Sequence, residues 1–161
     1  MDTMNELCEM LAKKKEIFLQ YEKDTDALLS CEIEEVEAHI KNREKLSEEV
    51  DRIDAALDRL AADSAENQTV VRQALKNQCG RNQLPAALWP VFDSAQQIFS
   101  IMHRIQQIES RAEERIKFEQ EILLEKIKKL NRSTAAQASK YHDTAGMSSQ
   151  ASYFPSAYKK A

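Results

Sequence analysis

The chain has 161 residues, 23 Lys or Arg against 27 Asp or Glu, a formal charge of −4, and only two glycines and three prolines. Glycine and proline break helices, through backbone entropy and a missing N–H, so their scarcity beside 31% charged residues points to long helices. The acidic balance argues against a nucleic-acid binder, which needs a concentrated basic face, and no apolar run approaches the ~20 residues that span a bilayer.

Four of the aromatics (Tyr141, Tyr153, Phe154 and Tyr158) fall near the C-terminal end, so the core is expected to be aliphatic. Lys13-Lys14-Lys15 and the lysines from Lys126 to Lys129 sit among glutamates and read as solvated helix faces. The opening residues lack the charged and apolar regions of a secretory signal. Cys8, Cys31 and Cys79 are odd in number and widely spaced, which speaks against a disulfide framework. The cytoplasm is the expected location.

In chain order, Met4, Leu7, Leu11, Phe18, Tyr21 and Leu28 recur at steps of three and four, interrupted by Lys14 and Thr25. That spacing predicts a helix over residues 2–29 with one apolar side. Ser30-Cys31 marks a turn or a re-start of the helix. Between reversal and continuation, reversal is favoured, because one continuous helix would leave its stripe unpaired within the monomer. The second stripe is Ile33, Val36, Ile40, Leu46, Val50, Ile53, Leu57 and Leu60. Arg43 lies inside its seam, where the stem can cover apolar surface while the head stays wet. Residues 1–62 are thus expected to form a helical hairpin, ended by the turn chemistry of Asp63-Ser64.

Residues 63–90 read as an irregular connector. Val70, Val71 and Leu75 suggest a short helix that closes at Cys79-Gly80, glycine being suited to a left-handed cap. Pro85 is placed to open one helical turn. Trp89 precedes Pro90 and is biased away from the helical region; it is expected to plug the end of the hairpin.

A third stripe, Val91, Ala95, Ile98, Met102, Ile105, Ala112, Ile116, Leu123, Ile127 and Leu130, predicts a helix over residues 91–130, with Glu109 and Glu119 as polar interruptions. Met102 and Phe99 are expected in the bundle core. About 40 residues at 1.5 Å each make some 60 Å, against roughly 40–45 Å for the first two helices. Packed against that shorter pair, the third helix has last turns left without cover, and they carry Ile122, Leu123, Leu124, Ile127 and Leu130. Residues 131–161, rich in Ser, Ala, Thr and Gln, show no stripe and read as a disordered, flexible polar tail. The fold expected is all-α: an elongated antiparallel three-helix bundle or coiled coil, with a long C-terminal helix and that tail.

Enzyme chemistry finds no footing. His39, His103 and His142 are far apart, Glu35 and His39 form an i, i+4 pair without company, and there is no Cys-x-x-Cys. No metal site, cofactor or catalytic residue is therefore expected. Glycine is too rare for a phosphate-cradling loop, and no Gly-x-Ser-x-Gly elbow is present. Adjacent carboxylates such as Glu34-Glu35 and Glu113-Glu114 diverge by about 100° on a helix and read as solvated charges.

The segment Leu29-Ser30-Cys31-Glu32-Ile33-Glu34-Glu35-Val36-Glu37-Ala38, continuing into Arg43-Glu44-Lys45-Leu46, resembles the FlgN-type flagellar export chaperones. The order of long helix, long helix, irregular connector, very long helix and polar tail is similar. So are Tyr141-His142-Asp143-Thr144-Ala145-Gly146, and the ending Ser152-Tyr153-Phe154 with Lys159-Lys160-Ala161. The resemblance implies a cytoplasmic, monomeric or weakly dimeric chaperone for type III export. It would bind hook-associated proteins of the hook–filament junction and deliver them to the export apparatus. Its client-binding surface would be the C-terminal helix, here Ile116, Leu123, Leu124, Ile127 and Leu130. Tyr141, with Tyr153 and Phe154, would serve the export gate or tail contacts. The competing expectation is a coiled-coil scaffold or adaptor, in which the stripe from Ile116 to Leu130 pairs with a second copy.

Overall fold

A computed structural model of the chain describes residues 2–145. Among them are four α-helices, α1 (Thr3–Ala27), α2 (Ile33–Asp63), α3 (Gln68–Lys76) and α4 (Trp89–Ala145), with single 3-10 turns at Ala65–Asn67, Arg81–Gln83 and Ala86–Leu88. No strand occurs among the described residues, so the all-α expectation holds. Packing divides the chain into two compact units, one through Glu114 and one from Arg115.

Helix α1 begins where Asp2 leaves the helical region and its carboxylate accepts from the Met4 N–H at 3.1 Å, which satisfies a donor that has no intrahelical partner. It ends in tightening turns, with the Leu28, Leu29 and Ser30 amides reaching back three residues. The chain then reverses, as the sequence favours. Lys14 pairs with Asp54, Tyr21 with Arg43 and Asp24 with His39, so numbers fall on α2 as they rise on α1. The cap of α2 differs from expectation: Glu32, extended at φ −64 ψ 150, occupies it, and no side chain closes it. Two glutamates in the first turn, Glu34 and Glu35, complement the helix dipole instead.

Helix α4 packs as the third member. Lys15 donates to Gln97, and Arg104 pairs with Glu22. Each pair is displaced by seven residues on both helices, so α4 runs parallel to α1 and antiparallel to α2. The connector closes the end of the bundle where α1 begins and α2 finishes. Leu7, Leu11, Leu57, Ala61, Val71, Ala74, Leu84, Leu88, Val91, Phe92 and Ile98 form one buried cluster there. Each large aliphatic so buried is worth about 1.5–3 kcal/mol relative to exposure.

Several local expectations are overturned in the connector. Helix α3 stops at Asn77, in the left-handed conformation at φ 50, and not at Gly80, which is extended; asparagine tolerates that region better than most residues. Trp89 is helical (φ −58, ψ −42) despite the following proline. Pro90 sits in the first turn of α4, where no N–H is required. The indole N–H donates to the Arg81 carbonyl at 2.9 Å, and the Arg81 guanidinium lies 4.3 Å over the ring while pairing with Asp93. These ties hold Trp89 in place as the expected plug.

The α2 stripe is covered unevenly. Leu57 and Ala61 are buried, but Ile33 and Ile40 are 46% and 37% exposed. Near the hairpin turn, polar ties join the buried Leu28, which is 1% exposed. Asp24 is buried against His39, and buried Thr25 returns its hydroxyl to the Tyr21 carbonyl at 2.8 Å. Arg43 does not snorkel as expected: its side chain is 14% exposed and joins all three long helices through Tyr21 and Glu109. Burial works to lower the Arg43 guanidinium, but the hydrogen bonds to Tyr21 and Glu109 outweigh it and hold the group above its ordinary value. Lys14 is likewise no solvated lysine; it reaches Asp54 at 2.6 Å across the hairpin.

Candidate functional site

Helix α4 carries the site expected from the sequence, and its apolar stripe has two fates. Val91, Ala95, Ile98, Ile105 and Ala112 are at most 5% exposed, and Met102 packs against the core cluster. Phe99, expected in the core, is 43% exposed. Beyond Ala112 the burial stops while the spacing continues. Ile116 is half-buried. Leu123, Leu124, Ile127 and Leu130 are 55%, 56%, 45% and 66% exposed.

At about 100° per residue, Ile116, Leu123, Ile127 and Leu130 fall within an arc of roughly 60° on the helix. Leu124 flanks that arc, and Phe118, 61% exposed, lies close to the opposite side. Leu123, Ile127 and Leu130 align over two turns as an apolar strip, with Ile116 on the same side beyond the polar interruption at Glu119. The cations Lys126, Lys128, Lys129 and Arg132 follow on its C-terminal part, with no acid between Glu125 and Lys140.

The helix does not end at Leu130 as the stripe suggests. It continues through Asn131 to Ala145, making 57 residues, or about 85 Å. Nucleation is the costly step in helix formation and extension is cheap. Ala135, Ala136, Gln137 and Ala138 all favour extension. The Thr134 hydroxyl bonds the Leu130 carbonyl at 2.8 Å. Tyr141 lies on the last turns of α4, while Tyr153 and Phe154 lie outside the described residues.

Two other places can be weighed. An open groove of about 580 Å³ between α1 and α2 is lined by Ile17 and Ile53 together with Lys13, Glu16, Glu49 and Arg52. It lacks the convergent polar groups of a small-molecule site. The second place escaped the sequence analysis. Cys31, four residues before Glu35, joins the Glu35–His39 pair, and one ligand atom from each lies within 4.8 Å of the others. The i, i+4, i+8 spacing was the available signal, and the break between Cys31 and α2 obscured it. The three cysteines are thiols. Burial, then the Asp2 charge, pushes the Cys8 thiol up, which makes it a poor nucleophile at neutral pH.

No helix of the described residues is long and apolar enough to cross a membrane. No family model, curated protein or solved structure matches the chain.

Proposed function

We propose that the chain is a protein-binding chaperone of the FlgN type, acting in the cytoplasm on hook-associated proteins of flagellar type III export. The observation that carries this reading is the exposed strip of Leu123, Ile127 and Leu130 on a helix whose earlier turns are buried by the same spacing. A partner helix with apolar groups at i, i+3, i+4 and i+7 is the complement of such a strip. The cationic run from Lys126 to Arg132 favours a partner with acidic flanks. A second copy laid parallel would set those cations against their own equivalents, which favours a different protein over a parallel dimer. The strip lies in the unit that begins at Arg115. By the resemblance, Tyr141 would contact the export gate, and Tyr153 and Phe154 would serve export-gate or tail contacts.

The test is the double substitution Leu123→Asp with Ile127→Asp in the full chain. Two carboxylates in an apolar contact face lose their hydration without gaining partners. Binding to a purified hook–filament junction protein should weaken by about 100-fold or more, with helical content and sedimentation unchanged. A variant that unfolds, or that converts a dimer into monomers, would identify the strip as a core or a dimer seam and favour the scaffold reading.

A further inference from the structure

Between the end of α1 and the start of α2 lies a group of side chains for which the proposed chaperone role has no use. Cys31 sits in the turn, Glu35 and His39 follow on successive turns of α2, and their ligand atoms converge within 4.8 Å. Asp24 approaches from α1, its side chain 7% exposed, with Oδ1 2.9 Å from His39 Nδ1. A carboxylate accepts only, so in the neutral ring Nδ1 carries the proton and Nε2 keeps its lone pair. A buried carboxylate that fixes the tautomer of a histidine is the usual support of a metal-ligating imidazole.

We propose that Cys31, Glu35 and His39 bind a zinc ion, with Asp24 orienting His39. The ligand set is one thiolate, one carboxylate and one imidazole, the mixture that suits zinc better than magnesium or calcium. Bonds of about 2.0–2.3 Å in a tetrahedron put neighbouring ligand atoms roughly 3.5 Å apart. Each group has to move inward by about an ångström. Glu35 is exposed and Cys31 and His39 are half-buried, so rotation about side-chain bonds suffices. Three protein ligands leave a fourth position for water. Bound zinc joins the turn to the first two turns of α2, and through His39 and Asp24 to α1, so it fastens the hairpin at the end opposite the apolar cluster. The zinc would add to the polar ties of Asp24 and Arg43 at that end of the hairpin.

The experiment uses the full-length protein, reduced and stripped with a chelator, then titrated with cobalt(II) and afterwards with zinc. A thiolate-to-cobalt charge-transfer band should appear, saturate at one equivalent and vanish as zinc displaces cobalt. The band should be absent in Cys31→Ser and unchanged in Cys8→Ser and Cys79→Ser. Glu35→Gln, at an exposed position that leaves the fold intact, should weaken cobalt binding by about tenfold or more, and Asp24→Asn by a comparable factor. Zinc should raise the thermal midpoint of the unaltered protein but not that of Cys31→Ser. The proposal is overturned if no charge-transfer band forms, if the band survives Cys31→Ser, or if it saturates at half an equivalent, which would mean ligands shared between two copies.

Discussion

The two parts of α4 have the same kind of residue at the same spacing and opposite surroundings. From Val91 to Ala112 the stripe is buried against α1, α2 and the connector, whereas from Leu123 to Leu130 it is about half exposed. The difference does not lie in hydrophobicity, since isoleucine and leucine recur throughout. It lies in how far the neighbouring elements extend. Pairs such as Glu22–Arg104 bring α1 up to Arg104, and α1 ends five residues beyond Glu22, at Ala27. Glu109 of α4 is tied to α2 through Arg43. The lesson is that a hydrophobic period shows which face of a helix wants a partner, while the lengths of the other elements decide whether the chain supplies one.

The comparison can be broken most directly with matched substitutions. Ile105 and Ile127 are the same residue on the same helix, 5% and 45% exposed. Ile105→Ala removes three buried carbons and should cost roughly 2–4 kcal/mol. Ile127→Ala should stay within about 0.5 kcal/mol of the unaltered protein. Urea unfolding of both variants checks this, and similar losses would mean that the second half of α4 is buried after all.

A smaller effect is expected at the tie between Arg43 and Glu109. Arg43→Met keeps the stem but leaves Glu109 and the Tyr21 hydroxyl without their shared partner. Because Glu109 is 35% exposed, water recovers part of that loss. The substitution should destabilise by about 1–3 kcal/mol, read from the shift of the denaturant midpoint. A value near zero would show that the apolar stripe alone sets where α4 is held.

Much of this fold could be read from residue spacing. The three stripes gave three long helices, Asp63-Ser64 gave the end of α2, and the position of Pro85 gave the short turn before α4. Two polar interruptions, Arg43 and Glu109, were visible as breaks in separate stripes. That they meet required knowledge of helix register, which spacing within one helix does not contain. The cap at Asn77 rests on local bonds back to Gln73 and Ala74, and the helical Trp89 is tied by Arg81, which in turn pairs with Asp93. The end of α4 was missed because residues 131–145 have no apolar period: their helicity rests on extension from a formed helix and on alanine and glutamine propensity. The exposed strip at Leu123, Leu124, Ile127 and Leu130 was legible as a length mismatch. The Cys31–Glu35–His39 cluster was legible only as a spacing across a turn, and Asp24 could not be placed beside it from sequence.

Hydrogen exchange along α4 tests the central claim most directly, comparing the chain alone with the chain saturated by a hook–filament junction protein. In the free chain, amides from Ile98 to Ala112 should be strongly protected and those from Phe118 to Ala145 should exchange quickly, since a helix without packing opens at little cost. On binding, protection should rise across Ile116 to Leu130 and stay unchanged from Ile98 to Ala112. Absence of binding, or protection appearing elsewhere while Ile116 to Leu130 still exchanges freely, would contradict the assignment of this strip as the partner-binding face.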